Sequence, residues 1–259
     1  MMADTEQTQL NNASLWQGLD LSGVTVAVGA GSGRLLASLA QEIADAGGTL
    51  LVTSWERSSL QMLRSQAQMS VCQAQMQHLP MRSETADLVL YIGTLRDVPT
   101  THLQATLTEL WRVLLPGGRF RIADLVEPTD MPYNAAWRQR NDISRTLGRL
   151  MDRPVSLAVD LKATALALRR LGFEDLQVAL LPGAGLTDQW LEETVNALRG
   201  LAARLVDIHD RRLLIDESLP RLVDAYAQGD QRAAERFVLS GYKPGDLTLQ
   251  MELRPDESV

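Results

Sequence analysis

The sequence has very few of the residues that build disulfide frameworks and metal clusters. It contains one cysteine, Cys72, and three histidines in 259 residues. A single cysteine excludes both a disulfide within the chain and a cysteine-built metal cluster, and no two histidines share a metal-ligand spacing. We therefore expect no disulfide scaffold and no metal site.

Long apolar runs and an excess of positive charge are also missing. No stretch approaches the ~18 apolar residues that a membrane-spanning helix needs, and no basic segment followed by an apolar run opens the sequence. The net charge of −7 disfavours a broad nucleic-acid surface. The hydrophobic content of 45% is ordinary for a globular chain with a sizeable core. We expect a cytoplasmic protein with no membrane span and no nucleic-acid partner.

Short apolar runs alternate with amphipathic segments along the first half of the chain. The run VTVAV at 24–28 is typical of a strand that is buried on both faces. Such alternation predicts an α/β fold, in which a parallel sheet carries helices on both faces and binds ligands at the carboxyl ends of its strands. The other predicted elements are strands at 49–54, 70–73, 87–92 and 119–125, and helices at 34–47, 56–66 and 102–114.

The second half begins with a long connection at 127–153. Residues 188–210 carry apolar side chains at alternating steps of four and three, which predicts an amphipathic helix. The apolar stripe of this helix must be buried, and it has three possible partners: the chain's own sheet, a substrate pocket, or a second subunit. The remaining predicted elements are helices at 157–171 and 217–227 and strands at 176–181, 236–242 and 247–253, the last pairing with the strand before it.

Three glycines stand at every second position between the first strand and the first helix: Gly29, Gly31 and Gly33. Glycine permits close backbone approach to a ligand, and a helix N-terminus offers free N–H groups. The glycine spacing of the dinucleotide fingerprint and the lysine of a Walker loop are both absent. The segment is therefore either a cofactor loop of another class or simply a tight turn.

The surrounding residues carry a more specific pattern. Leu79-Pro80 precedes Ala86-Asp87-Leu88-Val89, and residues 112–119 read RVLLPGGR. Together with the glycine loop, these segments resemble class I S-adenosylmethionine-dependent methyltransferases over about residues 22–126. They are most similar to the small-molecule branch that includes the ubiquinone/menaquinone methyltransferases.

This resemblance implies a Rossmann-like class I methyltransferase fold, with a mostly parallel seven-stranded sheet and a helical insertion before the last strand. It implies four parts: a lead-in at 1–20, a methyltransferase-like core at 21–182, the helical insertion at 183–234, and C-terminal strands at 235–259.

The resemblance also implies S-adenosylmethionine as the cofactor. The family places three acidic residues around it, and those positions here hold Ala27, Ser54 and Gln75. Glu56, two residues after Ser54, takes the place of the second acidic residue if the loop is shifted. Hydrogen bonds to a carboxylate contribute about 1.5–3 kcal/mol each and neutral ones about 0.5–1.5, so the site is degenerate relative to the family. Trp55 either stacks on the adenine or packs at the strand end. The residues implied to bind the cofactor are Gly29, Ala30, Gly31, Gly33, Ser54, Trp55, Gln75, Met76 and Ile92.

No catalytic base is predicted on the acceptor side. Where many relatives carry a histidine pair before Val-Pro, this sequence has Arg96 and Asp97, which either orient an acceptor or form a solvated ion pair. The segment at 127–153 occupies the place of a lid in relatives, where its aromatic and basic residues either bind an acidic or aromatic acceptor or pack the lid down. The residues concerned are Tyr133, Trp137, Arg138 and Arg140, and the substrate candidates are Arg96, Tyr133 and Trp137.

Two functions are consistent with these features. The first is methyl transfer from S-adenosylmethionine to a small organic acceptor, which needs alignment of donor and acceptor more than a strong base. The second is a catalytically inactive protein of the same fold that acts as a scaffold or regulatory partner. In that case the helices at 188–234 are the candidate surface for a homodimer or heteromer.

Overall fold

The computed structural model describes residues 15–28, 33–54, 60, 69–152 and 157–245. Seven strands form one sheet in the order β3-β2-β1-β4-β5-β7-β6. All neighbours are parallel except β7, which runs antiparallel to both β5 and β6. The strands are β1 (Val24–Val28), β2 (Thr49–Ser54), β3 (Ser70–Gln73), β4 (Ala86–Ile92), β5 (Leu114–Leu125), β6 (Glu174–Leu181) and β7 (Arg236–Tyr242).

Seven α-helices connect or flank these strands in the described part of the chain. The helices are α1 (Gly33–Asp45), α2 (Leu103–Val113), α3 (Ala135–Leu150), α4 (Leu161–Leu171), α5 (Asp188–Ala202), α6 (Ile208–Arg212) and α7 (Leu219–Ala227). Among the described residues, none of these helices is both long enough and apolar enough to cross a membrane. The Rossmann-like fold predicted from the sequence is confirmed by this sheet and its helices.

The central strands are buried on both faces, as the run VTVAV predicted. Val26 and Val28 point into one apolar cluster with α2 and α4. Ala27, between them, points into a second cluster with α1. Strand residues alternate between the faces of a sheet, so one short apolar run supplies both layers of the core. On the second face Trp16 is 2% exposed and donates a hydrogen bond to Glu42 (2.7 Å), which fixes the lead-in against α1.

Two expectations for the second half were wrong. The segment predicted as a connection at 127–153 contains a 16-residue helix, α3. The single helix predicted at 188–210 is two helices, α5 and α6. Asp207 is the physical reason for the break, because its side chain accepts hydrogen bonds from the backbone N–H groups of His209 and Asp210 and so caps a new helix.

Several predicted boundaries also move. Strand β5 begins at Leu114 rather than at residue 119, and α4 begins at Leu161 rather than at 157, after the Asp160 side chain accepts from the N–H of Ala163. The helix predicted at 56–66 and the strand at 247–253 lie outside the described residues, apart from Leu60.

The helices between β6 and β7 form a layer with α3. A third apolar cluster joins buried residues of α3, α5, α7 and the π-helical turn at Leu213–Ser218. The stripe on α5 therefore packs against α3 of the same chain. The start of α3 is tied to this layer by Gln231, whose side chain accepts from the Ala136 N–H (3.0 Å) and donates to the Pro132 carbonyl (3.1 Å).

Candidate functional site

The carboxyl ends of the central strands meet at one rim of the sheet. Ser54 is the last residue of β2 and Ile92 the last of β4. Beyond β4, the Gly93 N–H donates to the Ala123 carbonyl of β5 (2.8 Å). The buried Thr94 hydroxyl donates to the Val28 carbonyl at the end of β1 (3.2 Å). These bonds hold the segment after β4 directly beside the place where the glycine loop leaves β1.

Most of the predicted cofactor loop lies outside the described residues. Gly29, Ala30, Gly31 and Trp55 lie outside the described residues, and Gly33 is the first residue of α1. Of the residues implied to bind the cofactor, the structure brings Ser54, Ile92, Gln75 and Met76 to the carboxyl rim. Ser54 is 6% exposed and its carbonyl accepts from the Ala74 N–H (3.0 Å), which links the end of β2 to the loop after β3.

A charged clamp fixes the loop that carries Gln75 and Met76. Glu109, buried on α2, accepts from the Leu79 N–H (2.7 Å). Arg112, one turn later, donates to Glu109 and to the carbonyls of Leu79 and Met81. The Leu79-Pro80 segment is therefore held by Arg112, the first residue of the RVLLPGGR segment, which runs from the end of α2 into β5.

The clamp keeps Glu109 ionised. Burial alone raises the pKa of this carboxyl, but hydrogen bonds from Arg112 and from the Leu79 N–H, with the Arg112 charge, lower the pKa below its ordinary value overall. The same pairing raises the pKa of Arg112. Both groups thus carry charge at neutral pH, and the loop is anchored by charge-assisted bonds.

A cavity of about 200 Å³ opens between this loop and the segment after β4. Met76 is 8% exposed and packs on the core below it, whereas Gln75 is exposed. The cavity offers an apolar floor with amide and carboxylate groups at its edge, a combination that suits a polar heterocycle. Its lining residues are Gln75, Met76, Gln77, Asp97, Val98, Pro99 and His102.

Neutral side chains occupy the three positions, 27, 54 and 75, at which the resemblance led us to expect acidic residues. Ala27 is 1% exposed and lies inside the core, so a carboxylate there would be buried. Ser54 and Gln75 offer uncharged hydrogen-bonding groups at the rim. Among the described residues, no group of three or more acidic, histidine or cysteine side chains is arranged to hold a metal ion.

On the acceptor side, Arg96 lies in the short turn Leu95–Asp97 and forms an ion pair with Asp124 (Nε to Oδ1, 3.6 Å). Asp124 also accepts from the Arg96 N–H (3.1 Å). Burial raises the pKa of Asp124, and the Arg96 charge partly opposes that rise. Asp124 was not among the predicted site residues, although an acidic residue at the carboxyl end of a buried strand is a signal that could have identified it.

The lid candidates differ in their surroundings. Tyr133 is 40% exposed before α3. Arg138 forms an ion pair with Asp130. Trp137 stacks on Trp190 of α5 (ring centroids 5.8 Å apart, planes at 20°), with the Arg140 guanidinium 5.4 Å from its centroid. Trp190, another residue that sequence reasoning missed, is in turn stacked with Tyr226.

Comparisons with known proteins agree with this geometry. Residues 26–122 match the model of a family described as a methyltransferase domain. No curated protein sequence matches the chain. Among solved structures, a candidate methyltransferase from Bacillus halodurans is 14% identical with a TM-score of 0.60, over 91% of this chain and 99% of that one.

Two further solved structures have the same fold. Geranyl diphosphate C-methyltransferase from Streptomyces coelicolor, in complex with its substrate and S-adenosylhomocysteine, is 12% identical (TM-score 0.54; 92% of this chain, 80% of that one). The [4+2]-cyclase SpnF is 15% identical (TM-score 0.54; 93% and 81%). The chain thus has the class I methyltransferase fold, and its residues 26–122 carry a methyltransferase-domain sequence pattern.

Proposed function

We propose that the protein transfers a methyl group from S-adenosylmethionine to a small organic acceptor. The observation that carries the proposal is the match of residues 26–122 to a methyltransferase domain. That span runs from β1 to β5 and so includes the loops at the carboxyl rim. The RVLLPGGR and Leu79-Pro80 segments further favour the small-molecule, ubiquinone/menaquinone methyltransferase-like branch. We expect the protein to act in the cytoplasm.

The rim residues fit this cofactor through neutral contacts. Ser54 supplies a hydroxyl for the ribose, while Gln75 and Met76 border a cavity suited to the adenine. Ile92 and the glycine loop (Gly29, Ala30, Gly31 and Gly33) are assigned to the methionine end, and Trp55 to the adenine. Bound S-adenosylmethionine supplies an electrophilic methyl carbon on a sulfonium centre. The protein's own task is to align the acceptor with that carbon and to exclude water.

The proposal is tested by methyl transfer from isotopically labelled S-adenosylmethionine to a panel of small acceptors. We expect transfer to at least one acceptor, with equal release of S-adenosylhomocysteine. A Gly31→Val variant, which adds bulk inside the glycine loop, is expected to lose transfer while Gly200→Val, on the surface of α5 with open space at its Cβ position, retains it. Binding of the cofactor without transfer to any acceptor contradicts the proposal.

The neutral residues Ala27, Ser54 and Gln75 favour a second candidate, a protein of this fold that does not transfer methyl groups. The fold accommodates other chemistry, since one of its relatives is a [4+2]-cyclase. Such a protein would act as a scaffold or regulatory partner through the helical insertion at 183–234, where Val206 is 96% and Ile208 62% exposed. Light scattering that shows a monomer, together with tight cofactor binding, contradicts this candidate.

A further inference from the structure

Helix α3 brings a second arginine to the rim of the sheet. Asp124, at the end of β5, holds Arg96 in the turn after β4. Arg140 of α3 lies close enough to this turn for its charge to interact with Arg96 and Asp97. Burial and the Arg96 charge lower the pKa of Arg140, and the Asp97 charge opposes that effect. The charges of Arg96 and Arg140 therefore oppose one another.

Arg140 differs from its neighbouring arginines because it has no ion pair. Arg138 pairs with Asp130, and Arg145 pairs with Glu127. Within the described residues, Arg140 forms no salt bridge. Its guanidinium instead lies over the Trp137 ring and donates to the Asn141 side-chain oxygen (2.9 Å). Asp97, the acidic group that acts on Arg140 from the rim, is itself exposed to solvent, which screens its charge.

Two buried N–H donors on residues that contact the Arg140 guanidinium have no hydrogen-bond partner among the described residues. Asn141 is 1% exposed, and its side-chain N–H₂ group is buried with no hydrogen-bond partner among the described residues. The indole N–H of Trp137 is also buried and unpartnered in the described part of the chain. Residues 137, 140 and 141 share one face of α3, because positions three and four apart are neighbours on a helix. Unpaired buried donors are costly, so this face is suited to a ligand that supplies only acceptors.

We propose that the methyl acceptor carries an anionic oxygen group, a carboxylate or a phosphate, which binds Arg140 and the side-chain amide of Asn141. The inference rests on the proposed function and adds the substrate class. An anion at this position gives Arg140 the partner it lacks and accepts the free Asn141 donors. It also relieves the repulsion between the two guanidinium groups. The Trp137 ring, stacked on Trp190 in the helical layer, supports the Arg140 guanidinium.

The test uses three probes that share a phenyl ring and differ in charge: benzoate, phenyl phosphate and methyl benzoate. Each is titrated calorimetrically into the full-length protein saturated with S-adenosylhomocysteine. We expect at least one anion to bind at least ~10-fold more tightly than the neutral ester, the scale of one charge-assisted hydrogen bond. A preference for benzoate indicates a carboxylate acceptor, and a preference for phenyl phosphate indicates a phosphate.

Three variants assign the effect to Arg140. Arg140→Met is expected to abolish the anion preference, and Arg140→Lys, which keeps the charge but not the planar fork, to retain part of it. Arg149→Met, an exposed arginine on the same helix, is the matched control and is expected to behave as wild type. All variants should bind S-adenosylhomocysteine with unchanged affinity, which also shows that they fold.

The outcomes separate this inference from the proposed function. A wild-type protein that does not bind S-adenosylhomocysteine contradicts the proposed function. A protein that binds it, but binds all three probes equally or none of them, contradicts only the anionic acceptor. Retention of the anion preference in Arg140→Met also contradicts it.

Discussion

The buried carboxylate of Glu109 stabilises the loop that contains Leu79. Its pKa is lowered in the folded protein, so its contribution is present above the unfolded value of about 4.5 and is lost as the pH falls through the folded value. We expect Glu109→Gln to reduce the free energy of unfolding at pH 7 by about 1–3 kcal/mol. In urea titrations the difference from wild type should shrink as the pH falls below about 4.5. If the difference in the free energy of unfolding stays constant from pH 7 to pH 3, the ionised Glu109 does not stabilise the fold as described.

A second buried polar group is the phenol hydroxyl of Tyr91. Tyr91 is fully buried in β4, and its hydroxyl has no hydrogen-bond partner among the described residues. Burial, with a contribution from the Glu109 charge, raises the pKa of this phenol. We expect Tyr91→Phe to leave stability unchanged or to raise it by up to about 1 kcal/mol, because an unpaired buried hydroxyl is removed. A clear loss of stability on urea unfolding would reveal a partner for the hydroxyl.

Among the secondary-structure elements, helix α2 is held at its C-terminal end by a buried lysine that donates hydrogen bonds to carbonyl groups there. Lys243 is buried after β7, and its Nζ donates to the carbonyls of Trp111 and Leu114 and to Glu84 (2.9 Å). A cation here satisfies free carbonyls at the helix C-terminus and complements its dipole. We expect Lys243→Met to lower the melting temperature, through a loss of about 1–3 kcal/mol. The chain's other lysine, Lys162, is exposed on α4, and Lys162→Met should have little effect.

The helical layer depends on residues that face α3. Leu222 on α7 is 0% exposed in the third apolar cluster, whereas its neighbour Val223 is 42% exposed. Leu222→Ala should therefore cost about 2–5 kcal/mol, from lost burial and a new cavity. Val223→Ala should cost less than about 0.5 kcal/mol. Equal effects of the two substitutions on denaturant unfolding would mean that α7 does not pack as described.

Some secondary-structure elements were predicted correctly from the sequence, and others were not. β1, β2, β3 and β7 coincide with the predicted ranges. In β1 and β2 the reason is a compact run of apolar or β-branched residues. Helix α3 was not predicted because it has few buried apolar side chains (Ala136, Ile143 and Leu147) and arginines lie between them. Its helical conformation is supported by contacts with α5 and α7, which lie far along the chain. Tertiary packing of that kind has no local signal.

For the molecule as a whole, local sequence patterns do not predict the order of the strands in the sheet. The resemblance implied a mostly parallel seven-stranded sheet, but the place of β7 between β5 and β6, antiparallel to both, was not predicted. The same holds for the site. Local sequence indicated the rim loops, but the position of Arg140 depends on the packing of α3. That packing is against a layer of helices from the following half of the chain.

We propose that the protein binds S-adenosylmethionine through neutral contacts. Isothermal titration calorimetry of the purified protein with S-adenosylmethionine, and then with S-adenosylhomocysteine, measures this binding. We predict saturable binding of both with one site per chain and an affinity in the micromolar range, about −8 kcal/mol. The absence of heat and of thermal stabilisation at millimolar ligand would contradict the account and favour a protein partner of the helical insertion.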